Sequence, residues 1–170
     1  MLIRPEQPQD YQQVEQLVQT AFASAEYSDG QEQTLVANLR HNSQAFIPAL
    51  SLVAEIDQQL VGYILFTKAQ VGAQTVLALA PLAVLPEYQQ QGIGKQLIQR
   101  GHQIARQLGY NYVLVLGHEH YYPKFGYQPA ASLGVTVSAD FPPANFFACR
   151  LLALAVPLQG TVTYAPEFGL

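Results

Sequence analysis

Cysteine occurs once in this chain, at position 149, and tryptophan does not occur at all. A single cysteine excludes an internal disulfide and any cysteine-based zinc cluster. Its flanks, Phe147-Ala148 and Leu151-Leu152, are apolar, which reads as a buried structural thiol rather than a nucleophile. Charge is scarce as well: 12% of the residues are Asp, Glu, Lys or Arg, roughly half the usual share. Eight basic residues and a net charge of −4 provide no basic stripe, which argues against sequence-independent nucleic-acid binding. No apolar run reaches roughly 18 residues without a proline, so no membrane span is expected. The first ten residues carry Arg4, Glu6 and Asp10 instead of an apolar leader core. A secretory signal is therefore not expected, and the cytoplasm is the expected location.

What the chain does have is apolar bulk. With 170 residues and 49% hydrophobic content it fits one domain, 1–170, with a full core. Tyr11, Val14, Leu17, Val18, Ala21 and Phe22 recur at helical spacing after Pro8-Gln9-Asp10 and predict a first helix. A second helix is expected over Gln31–His41. The period then changes, and Ser51–Ile56 and Leu60–Val71 read as strands of a hairpin turning at Asp57-Gln58-Gln59. Thr75–Leu85 reads as a further strand whose Pro81 cannot donate to a ladder and predicts a bulge or an unpaired stretch. Gly92–Leu108 is expected as a helix with Ile93, Leu97, Ile98, Ile104 and Leu108 inward and Gly109 ending it. Asn111–Leu116 lacks alternation and reads as a strand buried on both faces, parallel to the one before it through the helical crossover. Val135–Val137, Asn145–Leu154 and an edge strand at Gly160–Tyr164 complete the expected elements.

The stretch from Leu79 to Leu97 carries the most chemistry. An apolar strand ends at Pro86, a polar loop follows, and Gly92-Ile93-Gly94 opens a helix. Free N–H groups at a helix N-terminus, with the helix dipole behind them, form a seat for an anionic phosphate. Side chains close to a phosphate would obstruct it, which gives the glycines at 92 and 94 a purpose. The loop is not a P-loop: Gln96 stands where the hydroxyl should be, and Gln89 where the first glycine belongs. Nor is it a dinucleotide fingerprint, since Leu97 takes the place of the third glycine.

The pattern Gln89-x-x-Gly92-x-Gly94, closed by Lys95 and preceded by Leu82-Ala83-Val84-Leu85-Pro86-Glu87-Tyr88, instead resembles the acyl-CoA pyrophosphate loop of the GNAT superfamily of N-acetyltransferases. Leu2-Ile3-Arg4-Pro5 with Asp10-Tyr11 resembles that family's opening strand and first helix. Tyr121-Tyr122-Pro123-Lys124-Phe125-Gly126-Tyr127 is similar to its tyrosine signature after the fifth strand, in the form found in a bacterial acetyltransferase subgroup with a Tyr-Tyr-x-(Arg/Lys)-Phe-Gly element and a Gly-x-Val-x-Tyr tail, here Gly160 to Tyr164. The resemblance covers residues 1–155, with 156–170 as a C-terminal extension. It implies an α/β (α+β) fold: a mixed sheet of about six to seven strands, helices on both faces, and a fourth and fifth strand that splay apart to admit acyl-CoA.

The same resemblance implies acetyl-CoA as cosubstrate, no metal, and transfer by direct attack of a primary amine on a small molecule or protein. It assigns Leu82, Ala83, Val84, Gln89, Gln90, Gln91, Gly92, Ile93, Gly94 and Lys95 to the cofactor. Tyr122 matches the signature tyrosine and is the candidate general acid, since a phenol with pKa about 10 stays protonated at neutral pH; a packed aromatic is the alternative, and Tyr121 and Phe125 read that way. His118, with Glu119 and His120 beside it, is the candidate base; a solvated loop is the alternative. Glu26, Asp29 and Glu32 gather where the first two helices would wall the acceptor site and favour a cationic amine, against the alternative of a solvated acidic loop. Homodimer formation is left open. A short segment before Tyr122, and no carboxylate within Thr75–Leu85, fit a second reading: an acyl-CoA-binding or sensing module without catalysis.

Overall fold

The structure is a computed structural model that describes residues 1–26, 28–136 and 142–170. Its strands are β1 (Leu2–Pro5), β2 (Phe46–Ile56), β3 (Gln59–Val71), β4 (Gln74–Val84), β5 (Tyr112–Leu116), β6 (Gln128–Pro129), β7 (Val135–Thr136), β8 (Phe146–Arg150) and β9 (Gly160–Thr163). Three α-helices accompany them: α1 (Tyr11–Phe22), α2 (Glu32–Arg40) and α3 (Ile93–Gln107). The sheet runs β1-β2-β3-β4-β5-β8-β6, antiparallel except for the β4–β5 pair. β9 pairs with the end of β3 at Gln70 and Val71, past the last partner of β2 there, and lies parallel to β7.

The two-residue period of β3 distributes the core. Tyr63 and Leu65 face α1 and α2, packing with Val14, Leu17, Val18, Val36 and Leu39. Ile64 and Phe66 face α3, packing with Ile93, Leu97, Ile98 and Ala105. Helices thus cover both faces, and each fully buried aliphatic side chain contributes about 1.5–3 kcal/mol. Gly101 lets α3 approach closely, because a Cβ there would overlap the Phe66 ring. Arg4 joins the first strand to its surroundings by donating to Asp10 at 2.7 Å and to Glu55 at 2.9 Å. The hydrogen bond from Arg4 holds the Asp10 carboxyl below its ordinary range, against the opposing effect of burial.

Several expected boundaries shift. β2 begins at Phe46 rather than Ser51, because its register slips between those residues and the irregular stretch accommodates Pro48. The hairpin turn is Asp57-Gln58, both with positive φ (49° and 67°), the conformation a two-residue turn requires. The last long strand stops at Arg150 instead of continuing to Leu154, which is fully solvent-facing. α3 turns Gly101 and Ala105 inward at its end, and Leu108 is 49% exposed rather than part of the inner face. Leu116 is 43% exposed, so β5 is buried on both faces only as far as Val115. Val137, expected to end a strand, lies outside the described residues. Among those residues no helix is long and apolar enough to cross a membrane.

Candidate active site

The site begins where β4 and β5 part. They pair only through Leu77–Leu79 and Val113–Val115. Past that point β4 stays with β3, Leu82 opposite Ile64 and Val84 opposite Gly62, while β5 follows β8, with Leu116 opposite Phe146. The change of register between Ile64/Leu82 and Phe66/Leu79 gives β4 one extra residue at Ala80-Pro81, a bulge at the point of divergence. Beyond Leu79 the main-chain edge of β4 that faces β5 therefore has no strand partner, and an extended ligand can pair with it.

A cavity of about 990 Å³ opens from this gap. One wall is the first turn of α3. Gln89 N–H donates to Pro86 O, and the first helical bond runs from Gln96 N–H to Gly92 O. Between them, the N–H groups of Gln90 through Lys95 make no backbone hydrogen bond among the described residues. These unpaired donors stand at the positive end of a 15-residue helix. Gly92 has φ +82° at the N-cap, a left-handed conformation that glycine adopts without steric cost.

The two glycines have different protein surroundings. A Cβ on Gly92 would meet no protein atom, so the left-handed conformation is what the protein itself asks of glycine there. A Cβ on Gly94 would lie 2.5 Å from the Tyr121 hydroxyl, so a protein side chain, not only a ligand, occupies the room. Leu82, Val84, Gln89, Gln90, Gly92, Ile93, Gly94 and Lys95 all line the cavity. Ala83 and Gln91, assigned with them from the sequence, do not: Ala83 faces the α1–α2 side of the sheet, and the Gln91 amide turns back to donate to Glu87 O at 3.0 Å. Gln89 also braces the loop, donating to Val84 O at 3.1 Å.

Tyr122 sits at the opposite side of the gap. It opens a short 3-10 turn, Tyr122–Phe125; Pro123 follows in the first turn, where its missing N–H costs nothing. The ring lies against Gly117, where any Cβ would overlap it, and edge-on between Tyr121 (5.2 Å) and Tyr127 (5.5 Å). Tyr127 is fixed in turn by a 2.8 Å hydrogen bond between its hydroxyl and Nε2 of buried His102. Burial pushes the Tyr122 phenol well above its ordinary pKa, with Tyr121 adding to the shift, so it is a proton holder at neutral pH. Burial likewise pushes Cys149 up to about 11, consistent with an inert thiol.

The remaining candidates divide. His118 lines the cavity, exposed, with Nδ1 accepting from His120 N–H at 3.3 Å. Glu119 and His120 lie outside the lining and pair with each other at 3.5 Å. Glu26 and Glu32 line the far end of the cavity together with Phe22 and Leu35. Glu32 Oε2 is buried there with no hydrogen-bond partner among the described residues. Asp29 lies outside the lining, its carboxylate accepting from Gln31 N–H at 2.9 Å. Asp140 falls outside the described residues, whereas Asn145 lines the cavity. Tyr121 and Gly117 are lining residues that sequence reasoning missed; the doubled tyrosine and a glycine at a strand end were the available signals. Among the described residues there is no group of three or more His, Cys, Asp or Glu placed to hold a metal.

A split parallel strand pair with a helix N-terminus aimed into the split is the arrangement that the resemblance to the acetyltransferase family implies. The model of the acetyltransferase (GNAT) family matches residues 11–127, more than half of the chain. The chain is 45% identical over 104 residues to the uncharacterized N-acetyltransferase YjhQ of Escherichia coli K12, a match covering 59% of this chain and 57% of that protein. It is 35% identical to the uncharacterized N-acetyltransferase YhbS of E. coli K12 over 77% of this chain and 75% of that one. The crystal structure of YhbS in complex with CoA superposes with a TM-score of 0.86, at 30% identity over 99% of this chain and 92% of that one. A GNAT family acetyltransferase from Brucella melitensis in complex with acetyl-CoA gives a TM-score of 0.80 at 33% identity, over 98% and 97%. The chain belongs to the GNAT acetyltransferase family.

Proposed function

We propose that this chain transfers an acetyl group from acetyl-CoA to a primary amine of a small molecule or protein, by direct attack within one cavity. The observation that carries the reading is the continuity of that cavity: it joins the free N–H groups of α3, the unpaired edge of β4, a buried phenol and two carboxylates. Support also comes from YhbS and the Brucella protein, whose structures hold CoA and acetyl-CoA.

The residues present fit such a cosubstrate. Unpaired donors from Gln90 to Lys95, with the Lys95 ammonium, would hold the diphosphate, and the free edge of β4 at Leu82–Val84 would hold the extended arm. Bound acetyl-CoA supplies an activated acyl group as a thioester. Tyr122 Oη keeps a proton near the gap for a leaving thiolate, its protonation secured by burial. His118 stands at the rim as the candidate acceptor of the amine's proton, and Glu26 and Glu32 would attract a cationic substrate to the other end. The apolar walls from Phe22 and Leu35 favour an amine on a carbon skeleton over a bare polar one.

Incubation with acetyl-CoA and a panel of primary amines, followed by free-thiol release, tests this. The expected result is thiol production above the hydrolytic background with at least one amine and appearance of the acetylated amine by mass. CoA binding without amine-dependent thiol release from any amine or lysine peptide would favour the non-catalytic acyl-CoA-binding module instead.

A further inference from the structure

Tyr121 is not used by the reaction described above, yet its hydroxyl occupies a consequential place. The ring is clamped edge-on by Tyr122 at 5.2 Å and Phe125 at 5.1 Å, and its backbone N–H is tied to His118 O at 3.0 Å. The phenol oxygen reaches across the cavity to the first turn of α3, close enough to forbid a Cβ on Gly94. It makes no hydrogen bond among the described residues, and half-burial raises its pKa, so at neutral pH it is a protonated donor with spare capacity. Among the described residues Lys95 is the only Lys or Arg lining the cavity, in a chain whose net charge is −4. An additional neutral donor is valuable where cations are so few, because a hydrogen bond to a charged acceptor is stronger than one between neutral groups.

We propose that Tyr121 is a binding residue for the diphosphate of CoA: its hydroxyl adds a side-chain donor to the backbone N–H row of α3, and Gly94 is glycine to make room for that hydroxyl. This rests on the acyl-CoA reading of the cavity. The geometry makes the pairing specific. A Cβ at 94 would sit 2.5 Å from Tyr121 Oη but 3.8 Å from Cζ, so loss of the single oxygen turns a clash into ordinary van der Waals contact. Gly94 has no positive φ, so alanine suits its helical backbone.

Calorimetric titration of CoA and of pantetheine, which lacks the diphosphate, into wild type, Tyr121→Phe, Gly94→Ala and the double variant tests the proposal. Thermal melts confirm that each variant is folded. Tyr121→Phe is expected to weaken CoA binding roughly tenfold, about 1.4 kcal/mol, with pantetheine binding unchanged. Gly94→Ala should weaken CoA at least as much in the wild-type background and have almost no further effect beside Tyr121→Phe. Wild-type affinity for CoA in Tyr121→Phe, or an equal Gly94→Ala penalty in both backgrounds, would overturn the proposal while leaving the acyl-CoA site standing. No heat from folded wild type would instead overturn the site itself.

Discussion

Tyr122→Phe is expected to lower kcat for acetyl transfer by roughly 100-fold, within the range for loss of a general acid, while acetyl-CoA affinity changes by less than about twofold. The substitution removes one oxygen and keeps the ring, so the packing against Gly117 and the edge contacts with Tyr121 and Tyr127 survive. A structural aromatic would show the reverse pattern, with turnover intact. The pH profile supplies a second check. An acid acts only while protonated, and burial raises this phenol's pKa, so the alkaline fall in kcat that it governs lies above the ordinary phenol value of about 10. That limb should vanish in Tyr122→Phe. An unchanged kcat would remove Tyr122 from the proton transfer and leave solvent as the donor.

The second large effect falls on the other end of the cavity. Gly92→Val is expected to weaken CoA binding roughly 30-fold, since a β-branched residue in the left-handed region costs about 1–2 kcal/mol and relaxation away from φ +82° turns the N–H row aside. Crowding by the protein does not cause the loss, because a Cβ at this position meets no protein atom. Gly92→Asn, which tolerates the same conformation, should therefore retain most of the affinity. If asparagine were as damaging as valine, the obstruction would lie with a ligand and not with the backbone.

These two sites differ in how openly the sequence declared them. The strand, loop and helix from Thr75 to Leu108 were legible because each local signal agreed: an apolar run, a proline, a polar loop, two glycines and helical periodicity. Pro81 marked its bulge for the plain reason that it has no N–H. The parting of β4 from β5 was legible only through family resemblance, since it depends on β8 and Asn145 capturing β5 beyond Val115, and such pairings leave no local pattern. The contact between Gly94 and Tyr121 was not legible for a similar reason. Its neighbour Tyr121 is 27 residues away in sequence and meets it through a tertiary fold. Ala83 and Gln91 were assigned to the cofactor through family resemblance; strand alternation turns the Ala83 side chain away from the cavity and a local amide–carbonyl bond turns the Gln91 side chain back, while the Gln91 main-chain N–H stays unpaired. The acidic residues behaved likewise: Glu26 and Glu32 reach the lining, whereas Asp29 is engaged in its own turn.

In the proposed reading, helix α3 would let an acidic protein hold an anionic ligand. Its side chains contribute one cavity-lining cation, Lys95, so attraction would come from oriented peptide dipoles and hydroxyl donors. Binding of this kind acts at short range and steers little from a distance. Its dependence on ionic strength should accordingly be shallow compared with a site built from several lysines or arginines.

Titration of coenzyme A into the folded, unmodified chain by calorimetry is the most direct measurement of the account. Saturable heat with one site per chain, lost when the diphosphate is missing from the ligand, is the predicted result. A flat titration from a sample that melts cooperatively would mean that the amide hydrogens of α3 hold no such group.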